Sequence, residues 1–323
     1  MRVMVALAVS GILLVAPAGP VSAHVVPADV AAWSAQRYAG RALPDPRHAD
    51  PAAVAEFFDA AGPVESAYLA RSYPRLVNGL DGAPLALRLA AGDGVRLLDD
   101  PRGDGRVAEV VGDPLTARRI VVLVPGVDTD AANFHSGLGG VLRRAPAWQA
   151  KQVHDAAGPG VAVVAWLGYD PPEGLGIASA RTERARDGAA ALVRFLRGLA
   201  VQRPTATFVL IGHSYGSAVL GYAAPALPAA VTDLVALGSP GMGVRDAAAL
   251  RTTARVWAGR APNDWTRFVP GVRVLGFGHG AKPTGAGFGS REVPCGDVDG
   301  HDGYFVPGTS SLAALAGIAR DMS

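Results

Sequence analysis

The stretch Gly212-His213-Ser214-Tyr215-Gly216 sets a serine between two glycines, directly after the apolar run Ala206-Thr207-Phe208-Val209-Leu210-Ile211. The order reads as strand, tight turn, helix. In that setting a G-x-S-x-G turn lifts the serine hydroxyl above the end of a sheet strand, and the small glycines let strand and helix come close enough to do so. Three fixed positions recur by chance in a chain with 41 glycines, so the flanking elements carry the reading. The preceding run is β-branched and aromatic, as a buried parallel strand should be, and Ser217 to Ala223 continues as a helix of small residues able to pack tightly on a sheet. A serine so placed can attack an acyl carbon. It then needs a histidine to take its proton, a carboxylate to orient that histidine, and N–H donors for the oxyanion.

Around such an elbow the chain order is serine, acid, histidine, with the acid after one of the two strands beyond the elbow. Asp264, in Gly259-Arg260-Ala261-Pro262-Asn263-Asp264-Trp265, lies just past the expected strand Ala254–Ala258 and is the first choice; Asp246, after the preceding strand, is the reserve. For the base, His301 stands just before an expected C-terminal helix beginning near Ser310. His279 competes with it, but the segment Arg291–Val293 can still supply a last strand after His279, and this favours His301. His213 adjoins the serine along the chain, where its side chain should point away, so it is read as a packing residue. His24, His48, His135 and His154 all precede the elbow. The oxyanion donors expected are the backbone N–H of Tyr215, next after the nucleophile, and that of Val127 in the loop after Val124. Pro125 has no N–H to offer, Gly126 lets the backbone turn toward a substrate, and Asp128 is the other possible donor. Trp166 and Tyr169, at another strand end, are expected to wall the pocket.

These residues need a scaffold, and the pattern from Arg119 onward supplies one by alternating strands with helices, the signature of a parallel sheet covered on both faces. Strands are expected at Ile120–Val124, Val161–Leu167, Ala206–Ile211, Val231–Leu237 and Ala254–Ala258, and helices at Phe134–Gln152 and Ser179–Leu199. Ligands of such a sheet bind at the carboxyl ends of its strands. Before it, from His24 to about Thr116, the chain reads as helical and then extended. Asp50-Pro51 caps a helix bearing Val54, Phe57 and Phe58, Asn78-Gly79-Leu80-Asp81-Gly82 is turn chemistry, and Val95–Leu98 and Arg106–Val111 read as strands.

With 323 residues, 50% of them hydrophobic, the chain can bury a sizeable core. Its 30 basic and 28 acidic residues nearly balance and show no long basic run, so nothing points to nucleic acid; a small soluble or lipid-like ester is the simpler partner. Cys295 is the sole cysteine. It can form no internal disulfide, has no Cys/His neighbours at zinc-site spacing, and reads as a small buried apolar residue. No metal and no cofactor are expected. The first 23 residues have the form of a signal peptide: Arg2, an apolar stretch Val3–Val15, then Val21-Ser22-Ala23 with cleavage before His24. The alternative, an uncleaved anchor, is disfavoured because Pro17 and Pro20 follow a run shorter than the roughly 20 residues that span a bilayer. The organisation expected is a signal peptide at 1–23, a helical and extended region at 24–105, a catalytic domain at 106–323, and a product exported to the envelope or medium.

Taken together, Asn78-Gly79-Leu80-Asp81-Gly82, Pro125-Gly126, Trp166-Leu167-Gly168-Tyr169-Asp170, Gly212 to Ser217, Asn263-Asp264-Trp265 and Gly300-His301-Asp302-Gly303-Tyr304 resemble an α/β-hydrolase family of uncharacterised function common in high-GC Gram-positive bacteria. The resemblance covers roughly Asn78 to the C-terminus. It implies an α/β-hydrolase fold, mostly parallel with helices on both faces and preceded by a helical extension, and a triad of Ser214, Asp264 and His301. Pro125-Gly126-Val127-Asp128 departs from the family, which more often has small hydroxyl residues in place of the valine and aspartate. The family has no established substrate. The activity expected is a secreted serine hydrolase acting on carboxylic esters; a peptidase or amidase using the same triad, or a non-catalytic envelope-binding protein retaining the fold, are the alternatives.

Overall fold

The computed structural model describes residues 28–273 and 277–321, so the expected signal peptide lies outside the described residues. The chain opens with α1 (Ala28–Ala35), a short hairpin of β1 (Arg37–Tyr38) and β2 (Arg41–Ala42), then α2 (Pro51–Ser72), α3 (Pro74–Asn78) and α4 (Leu85–Ala91). Next come β3 (Arg96–Asp100), β4 (Arg106–Val111), β5 (Arg119–Val124), α5 (Pro146–Ala157), β6 (Val161–Leu167), α6 (Ile177–Ala180) and α7 (Glu183–Gln202). The rest comprises β7 (Thr207–His213), α8 (Gly216–Ala223), β8 (Val231–Leu237), β9 (Arg255–Gly259), β10 (Arg291–Glu292) and α9 (Ser310–Arg320).

Eight strands form one sheet in the order β10-β9-β8-β7-β5-β6-β4-β3. Neighbours from β10 to β6 run parallel, while β4 is antiparallel to both β6 and β3. Residues of β5 and β6 are buried almost throughout, which is why they read as unbroken apolar runs and not as alternations. Two helix pairs, α5 with α9 and α7 with α8, cover the two faces. The sheet is also reached from the 24–105 segment, because β3 is its edge strand.

Helix α2 begins where the Asp-Pro pair predicts: the Asp50 carboxylate accepts from the Ala52 N–H at 2.8 Å, and Pro51 takes a position that has no N–H to satisfy. Two helices differ from expectation. The span Phe134–Gln152 becomes α-helical only from Pro146, after two short 3-10 turns at Leu138–Gly140 and Leu142–Arg144, because Gly137, Gly139 and Gly140 all take positive φ, a conformation that cannot propagate a right-handed α-helix. Likewise the long helix starts at Glu183 and not at Ser179, since Arg181 is extended and bridges to Phe277.

The N-terminal helices form their own small core around Trp33, Val54, Phe58, Leu69 and Leu80. What joins that layer to the sheet is a buried cluster at Asn78-Gly79-Leu80-Asp81-Gly82. Arg88, 1% exposed, pairs with Asp81 at 3.2 Å and donates to the carbonyls of Asn78 and Leu97, while Arg194 from α7 reaches Asp81 at 3.4 Å. Asn78 Nδ2 donates to the carbonyls of Arg88 and Arg96. This motif is a structural clasp. Removing one partner of a buried pair leaves the other charge uncompensated, so Arg88→Met should lower unfolding free energy by about 3 kcal/mol or more, read from the urea midpoint. An unchanged midpoint would show that the clasp holds nothing together.

Candidate active site

Ser214 sits at the turn from β7 into α8 with φ of 53°, a left-handed conformation that costs a non-glycine residue about 1–3 kcal/mol. The glycines explain how the turn is reached. A Cβ on Gly216 would lie 2.1 Å from the Val124 carbonyl oxygen, and one on Gly212 would lie 2.7 Å from Ser217 N. Gly126 meets the same constraint from the β5 side, since a Cβ there would stand 2.7 Å from Ser214 Cβ and 3.2 Å from its Oγ. Hydrogen bonds then hold the turn: Ser214 N–H donates to the Leu237 carbonyl at 2.9 Å, and the Ser217 hydroxyl donates to the Ser214 carbonyl at 2.6 Å.

Asp264 and His301 are brought together from loops after β9 and before α9. His301 Nδ1 lies 2.9 and 3.0 Å from the two carboxylate oxygens of Asp264, which is fully buried. That contact assigns the proton to Nδ1 and leaves Nε2 with its lone pair. The carboxylate also accepts from Thr266 N–H at 2.8 Å, Thr266 Oγ1 at 2.7 Å and the Tyr304 hydroxyl. Burial alone would push its pKa up, but the bond and charge of His301, with the Tyr304 and Thr266 donors, hold it well below the ordinary aspartate range. The neighbours of Asp264 are equally committed: Asn263 bonds to Asp299 and to Gly300 N–H, pinning the histidine loop, and the Trp265 ring lies 4.9 Å from that of His301.

Ser214 and His301 line one cavity of about 440 Å³ whose wall is mainly apolar through Val127, Leu138, Leu175 and Trp265 but also carries Thr129, Asn263 and the Arg144–Asp302 pair at 2.6 Å. A second cavity of about 380 Å³ also opens on Ser214 and is mainly apolar, lined by Val127, Leu175, Pro240, Trp265, Val269 and Phe277. Among the described residues Ser214 Oγ has no hydrogen-bond partner, and the N–H groups of Tyr215 and Val127 have no acceptor.

The other residues singled out in the sequence sit elsewhere or are already engaged. Asp128 N–H is spent on the Pro172 carbonyl at 3.1 Å, which removes it as an oxyanion donor. Asp246 pairs with Arg245 and caps the Ala249 N–H, a turn role. His279 is buried against the Tyr215 ring with Nε2 on the Ser179 carbonyl at 2.7 Å, and has no carboxylate partner among the described residues. His213 packs beside His301 and donates from Nε2 to the His301 carbonyl at 2.8 Å; burial and the neighbouring imidazole lower its pKa, so it holds the loop as a neutral ring. Trp166 and Tyr169 do not wall either cavity that opens on Ser214. Trp166 faces Phe195 of α7, and the Tyr169 hydroxyl is buried on the Pro125 carbonyl at 2.7 Å, bracing the loop that carries Gly126. Cys295 is buried, and burial raises its thiol to about 12.

Sequence reasoning gave no role to Tyr304 or Thr266, although both lie in or beside quoted motifs. Only their position two or three residues from the paired aspartate and histidine hinted at one.

An alpha/beta hydrolase family model matches residues 100–274, more than half of the chain, and the chain belongs to that family. Relatives include the uncharacterized protein Rv2079 of Mycobacterium tuberculosis, 31% identical over 67% of this chain, of which the match spans 37%. Another is the uncharacterized protein Mb0988c of Mycobacterium bovis, 34% identical over 60% of this chain and 82% of that protein. Among solved structures the esterase PE8 covers 68% of this chain and 99% of its own at 16% identity and a TM-score of 0.44. XC6422 of Xanthomonas campestris, an α/β serine hydrolase without lid, covers 69% and 89% at 18% identity and a TM-score of 0.41.

A depressed carboxylate contributes stability that is present above the unfolded value of about 3.9 and is lost as pH falls toward and through the folded value. Wild type should therefore lose more stability than Asp264→Asn between about pH 5 and pH 2 in urea titrations. Equal slopes would mean that Asp264 is not held ionised. Tyr304→Phe, which removes one charge-assisted bond, should cost about 1.5–3 kcal/mol in the same assay at neutral pH.

Proposed function

We propose that this protein is a serine hydrolase that cleaves carboxylic esters through an acyl-enzyme, with Ser214 as nucleophile, His301 as general base and Asp264 as the carboxylate that orients it. One observation carries the reading: a serine forced into left-handed backbone opens on the same cavity as a histidine whose Nδ1 is bound to a buried, strongly ionised aspartate. In this scheme His301 Nε2 takes the Ser214 proton as Oγ attacks the ester carbon, and the tetrahedral oxyanion is held by the N–H groups of Tyr215 and Val127. The same imidazolium returns the proton to the departing alcohol. Water then repeats the sequence on the acyl-enzyme and frees Ser214.

The two cavities share Val127, Leu175, Ser214 and Trp265 and differ in what lies beyond them, which supports an ester whose acyl part is apolar, beside Val269 and Phe277, and whose alcohol part lies toward the polar side chains of Thr129 and Asn263. Export is part of the proposal, resting on the Arg2, apolar and Val21-Ser22-Ala23 pattern; among the described residues no helix is long and apolar enough to cross a membrane.

Wild type should react with a fluorophosphonate probe and hydrolyse p-nitrophenyl butyrate, whereas Ser214→Ala should take up no probe and lose about a thousandfold or more in kcat with an unchanged melting temperature. Full turnover in folded Ser214→Ala would end the proposal, and faster cleavage of the matching anilide would move it to an amidase. For export, N-terminal sequencing of protein from the medium should begin at or near His24. Recovery of the uncleaved chain in membranes would contradict this.

A further inference from the structure

The mouth of the apolar cavity carries a concentration of exposed apolar side chains. Phe268 is 74% exposed, Ile177 70%, Leu175 64% and Val272 59%, with Phe277 also exposed. Single exposed hydrophobics are ordinary on any surface, but these five stand on two facing segments around one opening: Leu175, Val272 and Phe277 line it, Ile177 lies between the lining residues Gly176 and Ser179, and Phe268 precedes the lining residue Val269. The cations beside them are unusual too. From Trp265 to Lys282 the chain has three basic residues, Arg267, Arg273 and Lys282, and no acidic one.

Each of the three donates only to a backbone carbonyl, of Pro262, Gly243 and Arg267 respectively, and none has a carboxylate partner among the described residues. Arg267 lies over the Phe268 ring at 4.6 Å, Arg273 over the Tyr222 ring at 5.8 Å, and Arg181 of the facing segment over Phe277 at 5.5 Å. The facing segment also bears exposed Glu173 and Glu183, so the cationic edge is the 265–282 side.

We infer that this rim docks the protein onto an anionic lipid surface, with Phe268 and Ile177 entering the interface and Arg267 and Arg273 meeting the lipid headgroups. Aromatic and aliphatic side chains set among arginines that have no carboxylate partner among the described residues match an interface that is apolar below and negative above. A fluid lipid surface also demands no fixed shape complementarity from side chains spread over two loops. The inference rests on the hydrolase proposal only in that docking would deliver an acyl chain to the cavity; binding itself needs no turnover.

The test is co-sedimentation of the full chain with phosphatidylglycerol vesicles and with phosphatidylcholine vesicles, at low and high salt. Expected are at least tenfold stronger binding to phosphatidylglycerol at low salt, its loss at high salt, and the same binding by Ser214→Ala. The paired variants Phe268→Ser with Ile177→Ser, and Arg267→Gln with Arg273→Gln, should each reduce that binding at least tenfold while keeping the wild-type melting temperature and turnover of a soluble ester. Vesicle binding with no ester turnover in wild type would overturn the hydrolase proposal and leave the docking surface standing. Equal binding to both vesicles, undiminished binding by the paired variants, as an apolar segment at 1–23 would produce, or a dimer abolished by those variants without vesicle binding would each overturn the inference.

Discussion

The close approach of β5, β7 and α8 at Ser214 is the constraint on which the site depends. Three glycines, Gly126, Gly212 and Gly216, stand where any Cβ would run into backbone or into the serine itself. Their absence of side chains lets the serine be held with φ of 53°, and hydrogen bonds to Leu237 and from Ser217 keep it there. The strain is local, but its support is spread across the sheet, because Val124, Leu237 and Gly212 belong to three adjacent strands. A turn that would be unstable alone is thus over-determined by its surroundings.

The second dependence is electrostatic. A carboxylate with no exposed surface is costly unless every lone pair finds a donor, and Asp264 finds them in His301, Thr266 and Tyr304. The same bonds that stabilise the charge also fix the imidazole: Asn263 pins the loop, Trp265 and His213 flank the ring, and the Nδ1 proton is assigned. Orientation and ionisation are therefore one arrangement. His279, buried beside Tyr215 with its Nε2 on the Ser179 carbonyl, has no such partner among the described residues.

Much of this was legible in the residues. Strands β4, β6 and β8 fall where their apolar runs begin and end, and α9 starts at Ser310, since periodicity and local turn chemistry decide such boundaries. The Phe134–Gln152 helix was misjudged because three glycines in left-handed backbone outweighed its composition. Trp166 and Tyr169 were misplaced for another reason: a strand end says which loop a residue enters, but not which face of the sheet its ring packs on.

Sequence alone determined the order of the strands and helices, the serine turn and its glycine requirement, because these are set by residues adjacent in the chain. Tertiary structure decided everything that depends on distant residues meeting. It brought Asp264 to His301, spent the Asp128 N–H on Pro172, made the Asn78–Gly82 motif a clasp through Arg88 and Arg194, and opened two cavities on Ser214, one of which gathers Asn263 and the Arg144–Asp302 pair. Spacing along the chain carries no record of which loops will face each other once the parallel strands have aligned their carboxyl ends, and it is that alignment which creates the site.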